Sequence, residues 1–416
     1  MAELARVVSV LPDGRWNHNV LRNAIALLGE AIEARGVPHV SLDGSAPDFH
    51  GALLRQLAEP GCAVYLGHRY YDLGFVHSDA QGDARRNLFE ALDRPVFASI
   101  QDHPFSEFMW QRIEHASRTT HFVLPSREFA SEARFLNPAL TQFHEIPAAM
   151  TEPAPAADEL LALSERPIDL FMPAAFYTTK PSLEALARHY SAEQSPMKQV
   201  IDEVYETGLA ERDRPLLGLF LDACQRHFGE PLTVACPMTR QDRARLQVLS
   251  CIDTRIRFER RIGVLRDLAQ LDPALKIVVT MAPADVKRLT FLAGRENIKL
   301  TGRIDAARVR RLFLNAKFAV NVSPTYVSFV TERVGNAMAL GCCVVSDSNR
   351  HLASTFAGGE EILFTGDDGL GALSACFGED LDRAQAIAFR GREKALERFS
   401  VARQADALLS VMRAVL

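Results

Sequence analysis

The sequence predicts an α/β fold made of two parallel-sheet domains, and three observations carry that prediction. Short apolar, strand-like runs alternate with amphipathic helical segments along most of the 416 residues, the pattern of strands crossed over by helices on both faces of a sheet. A single stretch rich in Ala, Pro and Glu, residues 151–167, separates two series of this kind. The composition, 48% hydrophobic and 24% charged, supplies ample core for two ordinary globular domains.

In the first series, RVVSVL (6–11) reads as a strand and residues 19–36 as an amphipathic helix ended by Gly36. VPHVSLD (37–43), CAVYLGH (62–68), PVFASIQDHPF (95–105), THFVLPS (120–126) and FHEIPAAM (143–150) follow as strands, with helices over 49–61 and 87–94 between them. In the second series PIDLFMPAAF (167–176) is the first strand and 181–270 reads as one long helical stretch. LKIVVTMAP (275–283), NIKLTGRID (297–305), FAVNVSP (318–324) and CCVVSD (342–347) are its later strands, and a pair of helices ends the chain. The expected division is 1–160, then 166–390 with a helical insertion over about 181–270, then a final helix over 391–416. In parallel sheets of this kind ligands bind beyond the carboxyl ends of the strands.

Several function classes lack their residues. The formal charge of −5 supplies no basic field for nucleic acid. Seven cysteines, an odd number without CxxC spacing, fit reduced intracellular chemistry and not a disulfide frame or zinc site. The N-terminus has no signal-peptide pattern, and no apolar run approaches a membrane span, so a cytoplasmic protein is expected; peripheral membrane association stays open. There is no GxxxxGK[ST], no GxGxxG after the first strand, and no HxxxH or HExxH among the 12 histidines. No Asp-x-Asp stands at the end of a strand, so no metal cofactor is expected.

One stretch carries positive chemistry: SPTYVSFVTERVGNAMALGCCVVSD, 323–347. After the strand FAVNVSP the chain must turn and start a helix near Thr331–Arg333. The first turn of a helix offers unpaired N–H groups and a partial positive charge, which suits a diphosphate. Gly335 lets a phosphate or sugar approach the backbone. Glu332 and Asn336, at i and i+4, share one face, where a carboxylate can accept two ribose hydroxyls while Arg333 balances phosphate charge. Thr325, Tyr326 and Ser328 offer hydroxyls in the loop before the helix, although Tyr326 equally suits a core aromatic.

The order strand–GR–helix–NVSP–ERVGNAMALG–strand over 297–347 resembles the donor half of GT-B glycosyltransferases, closest to the group with a spore-maturation-protein-like C-terminal domain. The resemblance covers roughly 166–350, and the first half matches in architecture alone. It implies two Rossmann-like domains facing a cleft, with C-terminal helices crossing back to the first. It also implies that Gly302 and Arg303 lie beside the nucleotide and that Lys180 faces the diphosphate. A better-known retaining pattern places two glutamates eight residues apart; here those positions are Ser328 and Asn336, so the stereochemistry does not carry over.

In the first half, PDGRWNHN (12–19) follows a strand, making Asp13, Gly14 and His18 candidate acceptor or phosphate contacts, with Asn17 or Asn19 as an alternative helix cap. Sugar transfer needs a base for the acceptor hydroxyl proton, and Asp102 and His103 stand at a strand's end; the alternative is that Asp102 caps the next helix and His103 packs before Pro104. His68 is a further acceptor-side candidate. The expected activity is metal-independent sugar transfer from a nucleotide-diphosphate sugar to a glycan, lipid-linked, protein or small-molecule acceptor, without nucleic acid and with a homo-oligomer left open. A nucleotide-sugar epimerase or hydrolase on the same fold, and a non-catalytic nucleotide-sugar-binding or scaffold protein, are the alternatives.

Overall fold

The computed structural model describes residues 3–12, 20–67, 76–78, 85–114, 116–151, 153–174, 195–281, 289–302, 304–323, 325–365 and 381–416. The chain forms two compact units. The first comprises Met1–Glu152, Thr233–Gln247 and Phe399–Leu416; the second comprises Pro153–Leu232 and Val248–Arg398. The chain thus leaves the first unit twice and returns to it twice. Hydrophobic periodicity marks an element but not the sheet on which it packs, so two successive domains are the simplest reading of the sequence and the returning segment 233–247 is invisible to it.

The first unit is built on β1 (Arg6–Leu11), β2 (His39–Asp43), β3 (Cys62–Leu66), β6 (Val96–Ser99), β7 (Thr120–Leu124) and β8 (Phe143–Glu145), with a small antiparallel hairpin of β4 (Val76–Ser78) and β5 (Arg85–Asn87). The sheet runs β2-β1-β3-β6-β7-β8, and every pair in it is parallel. β3, β6 and β7 are buried at every residue, as strands covered on both faces must be. Helices α1 (Val20–Glu33), α2 (Phe49–Leu57), α3 (Leu88–Ala91), α4 (Glu107–Glu114) and α5 (Arg127–Leu136) connect them. The last helix of the chain completes this unit: its Leu408, Leu409 and Met412 join Leu28 and Ile32 of α1 in one core, and Arg35 pairs with Asp406.

β7 and β8 carry a histidine pair. His121 Nδ1 lies 3.0 Å from His144 Nε2, and the His121 ring is stacked on Phe97 at 5.1 Å. Burial, and then the neighbouring His144, push His121 down to about 4, and burial lowers His144. The unfolded chain therefore takes up protons at a higher pH than the folded one, so stability present above pH 6.5 is lost as the pH falls toward 4. Lowering the pH from 7.5 to 5 is expected to cost about 2 kcal/mol through His121. Thermal melting across that range checks this, and His121→Phe should flatten the pH dependence.

The second unit contains β9 (Ile168–Met172), β10 (Ile277–Val279), β11 (Ile298–Leu300), β12 (Ala316–Asn321), β13 (Cys343–Ser346) and β14 (Leu363–Phe364) in the order β11-β10-β9-β12-β13-β14, again all parallel. The expected helical stretch over about 181–270 is three separate helices over its described part. The described part is α6 (Pro196–Ala210), α7 (Leu216–Phe228) and α8 (Arg240–Leu268), each ended by local chemistry. Pro215 precedes α7, Gly229 takes a left-handed φ of 79° after it, and a cis Cys236–Pro237 bond precedes α8. Helices α9 (Ala306–Asn315), α10 (Glu332–Ala339), α11 (Arg350–Thr355) and α12 (Leu381–Phe399) follow, and α13 (Val401–Val415) is the helix that returns to the first unit.

A buried cation holds this second sheet's amino-terminal side together. Arg166, 2% exposed, donates to the carbonyls of Leu161, Phe313, Ala316 and Leu340. One of these, Leu340, is the C-cap of α10, past the reach of that helix's own N–H groups, and another, Phe313 near the end of α9, also accepts the Ala316 N–H. Gly341 is left-handed, with φ 78°, and a Cβ there would lie 2.6 Å from Arg166 Nη2. Burial beside this group pushes the Cys342 thiol up to about 12.

Candidate functional site

The second unit's strands run 3-2-1-4-5-6 in local order, so the chain's crossover direction reverses between β9 and β12. A switch point of this kind opens a crevice beyond the carboxyl ends of the strands. Into that region β12 delivers Val322 and Ser323, and the chain then passes through 325–331 to the start of α10. Thr331 is the N-cap, in an extended conformation, and Glu332 is the first-turn acid. Arg333 reaches toward the end of β9, its Nη1 3.4 Å from the Pro173 carbonyl.

Two polar atoms here are buried without a hydrogen-bond partner among the described residues, Thr331 Oγ1 and Arg333 Nε, while the Ser323 hydroxyl lies beside Asp347 and helps to hold its carboxylate charged. Thr331 is 6% exposed, so water does not readily satisfy it. An unsatisfied buried polar group costs about 1–3 kcal/mol. Two on the first turn of one helix, beside the unpaired N–H groups of its N-terminus, suit an anion that supplies acceptors.

The same loop is held from below. Asp347, at the end of β13, is buried and accepts the Ser323 N–H at 2.6 Å and Arg212 Nη1 at 3.0 Å. Burial raises its pKa, while the Ser323 N–H and then Arg212 lower it. Asn321 Nδ2 donates across the sheet to Ser346 Oγ at 2.8 Å. Arg260, on α8, is pushed down to about 10 by burial and by Arg212, and donates to the Gly208 carbonyl.

Residues 260–410 match a family model described as glycosyl transferase-like. Across the whole chain the fold is similar to HepE of Anabaena, solved in complex with UDP-glucose, at 11% identity over 99% of this chain and 100% of that one, with a TM-score of 0.54. It is also similar to sucrose-phosphate synthase of Thermosynechococcus elongatus at 13% identity over 98% of each chain, TM-score 0.51. The chain has the two-domain fold of the GT-B glycosyltransferases, and its residues 260–410 carry the glycosyl transferase-like match. No curated protein matches it.

In this chain, Thr331, Glu332 and Arg333 stand at the start of α10, with Glu332 and Arg333 half-buried. Gly302 follows β11 with a left-handed φ of 71°. Ser328 is half-buried in the loop. Asn336 is 7% exposed and Glu332 is not, so the pair does not form one open face. Tyr326 is the core aromatic of the two readings: it is 4% exposed, its ring lies 4.6 Å from Phe329, and Arg257 lies over it. Thr325 turns inward as well, its hydroxyl donating to Asp253. The Thr325 hydroxyl and the Tyr326 ring are thus held in the loop's foundation. Asp13, Gly14, His18, His68, Lys180 and Arg303 lie outside the described residues.

His103 is corrected as a base. Its ring is fully buried, donates from Nδ1 to both carboxylate oxygens of Glu132 at 2.9 Å, and stacks on Phe105 at 4.3 Å. With Glu128 it forms the one group of three possible metal-ligating side chains among the described residues. Asp102, next to it, is half-buried. Its other neighbour, Gln101, lines a small cavity of the first unit with Tyr65, Gly67, Met150, Thr151 and Gln404. That cavity lies at the carboxyl ends of β3 and β6, near the first sheet's own switch point.

Ser323, Asp347, Asp253 and Arg257 were not singled out from the sequence as site residues. The first two stand at strand ends, in NVSP and CCVVSD, where a strand-end rule finds them. The other two lie on α8, far away in sequence, and carry no local signal.

Proposed function

We propose that this chain is a glycosyltransferase that binds a nucleotide-diphosphate sugar at the start of α10 and transfers its sugar to an acceptor hydroxyl. The observation that carries the reading is the pair of buried polar atoms without a hydrogen-bond partner among the described residues, Thr331 Oγ1 and Arg333 Nε, at a helix N-terminus on the switch point. The UDP-glucose bound by the similarly folded HepE makes a UDP sugar the first donor to try.

In this reading the α10 amides and Arg333 hold the diphosphate, and Glu332 accepts the ribose hydroxyls. As the bond between the anomeric carbon and the diphosphate oxygen breaks, the nucleoside diphosphate leaves with the electron pair. The helix N-terminus and Arg333 then meet the charge that develops on it. The acceptor oxygen makes the new bond, and its proton passes to a base, for which Asp102 is the proposed residue. Because protein cations and amides neutralise the leaving group, transfer proceeds without a divalent metal.

Thermal shift with UDP, GDP, TDP and CMP, followed by turnover with the matching sugars in EDTA, tests each part. A rise in Tm with one nucleoside diphosphate and EDTA-resistant transfer are expected. No stabilisation by any nucleotide would sink the donor reading. Transfer that requires added Mg²⁺ would overturn metal independence, and sugar conversion without acceptor would favour an epimerase or hydrolase.

A further inference from the structure

We infer that Asp253 and Arg257 of α8 are positioning residues for the donor loop, a role that rests on the donor reading above. The two stand one helical turn apart, and Arg257 Nε donates to Asp253 Oδ1 at 2.9 Å. Their combined surface grips two successive loop residues. Asp253 Oδ1 accepts the Thr325 hydroxyl, and the Arg257 guanidinium carbon lies 4.7 Å from the centre of the Tyr326 ring. The grip is dry: Asp253, Thr325 and Tyr326 are 4%, 5% and 4% exposed.

The loop needs such a hold. Residues 325–331 contain no helix or strand, yet they set where the first turn of α10 begins. At the loop's front Ser323 N–H is bound to Asp347, and in its middle the Tyr326 carbonyl accepts Asn349 Nδ2 at 3.4 Å. Asp253 and Arg257 fasten Thr325 and Tyr326 from a separate helix. A charge-assisted, buried contact fixes geometry better than a solvated one, and an anion site loses affinity when its donors shift by a fraction of an ångström. The helical insertion is thereby part of the donor site without touching the donor.

The test pairs Asp253→Asn and Arg257→Met with Arg257→Lys and, as a control on the same helix, Arg255→Ala, whose side chain pairs with Glu259 instead. Hydrogen exchange of the 325–336 amides reads the loop, and UDP titration reads the site. Asp253→Asn and Arg257→Met should speed exchange across 325–336 and weaken UDP about tenfold. Exchange in β13 should stay as it was. Arg257→Lys, which keeps the charge but not the planar stack, should fall between. Donor KM should rise more than kcat falls, a split that a general loss of folded protein does not produce. Unchanged exchange at 325–336 overturns the tether. Faster exchange with unaltered UDP affinity overturns its role in donor binding. If the unaltered protein binds no UDP, GDP, TDP or CMP, the donor reading itself is overturned, while the exchange data still decide the tether.

Discussion

Arg333→Met is expected to weaken UDP binding by about ten- to a hundredfold while leaving the fold intact. Arg333 Nη1 makes one long contact to the Pro173 carbonyl, and Nε has no partner among the described residues, so the protein itself loses little when the guanidinium is removed. A diphosphate would lose a charge-assisted, directional donor worth about 1.5–3 kcal/mol, which converts to the stated range. The methionine stem preserves the apolar contacts of the arginine chain. Calorimetric titration of UDP and of inorganic pyrophosphate into both proteins measures the effect. If Arg333 meets the phosphates, both ligands weaken together. A loss confined to UDP would place Arg333 on the nucleoside, and equal affinity for both proteins would remove it from the site.

Arg166→Met should give the largest loss of stability of any change considered, about 4 kcal/mol and a fall in Tm of about 10 °C. The guanidinium is buried and donates to four backbone carbonyls on three different segments. Methionine matches its bulk but removes every N–H the guanidinium offers; Phe313 keeps the Ala316 N–H, and the carbonyls left facing an apolar chain each add a desolvation cost. The position lies on the side of the sheet away from the strand ends that face α10. Whatever protein remains folded should therefore bind UDP normally. Chemical denaturation with parallel UDP titration separates the two effects, and a Tm within 2–3 °C of the unaltered protein would show that Arg166 is dispensable.

The alternation of strands and helices was legible because fully buried parallel strands leave continuous apolar runs, such as CAVYL in β3 and CVVS in β13, bounded by turn residues. The start of α10 was legible for the same reason: a strand ending at NVSP and a helix beginning at TERV have to be joined at a strand's carboxyl end. Thr331 and Arg333 were found in this way, since helix starts and strand ends are local events. The short β14, of two residues, and the hairpin of β4 and β5 were not found, because so few residues carry no period.

What stayed hidden depends on distance in sequence. His103 has the composition of a base at a strand end, but Glu132, 29 residues later, takes its Nδ1 and the packing of Phe105 and Phe129 seals the ring. Tyr326 and Thr325 have the hydroxyls of a ligand loop, and only α8, through Asp253 and Arg257, turns them inward. The segment 233–247 has no composition that assigns it to the first unit, yet Met238 N–H and Arg243 both bind the buried carboxylate of Glu114 there.

By itself, then, the amino-acid sequence determined the two parallel sheets, the place of the helix that starts beyond β12 and the polar residues on its first turn. These follow from periodicity and from backbone groups left unpaired at a helix end, which neighbours in the chain decide. The tertiary structure alone decided which of those polar groups remain without a partner. Thr325 and His103 are spent on Asp253 and Glu132, whereas Thr331 and Arg333 each keep an atom unmatched among the described residues. A side chain's freedom to bind a ligand is set by what else packs against it, and packing joins residues that the linear order keeps apart.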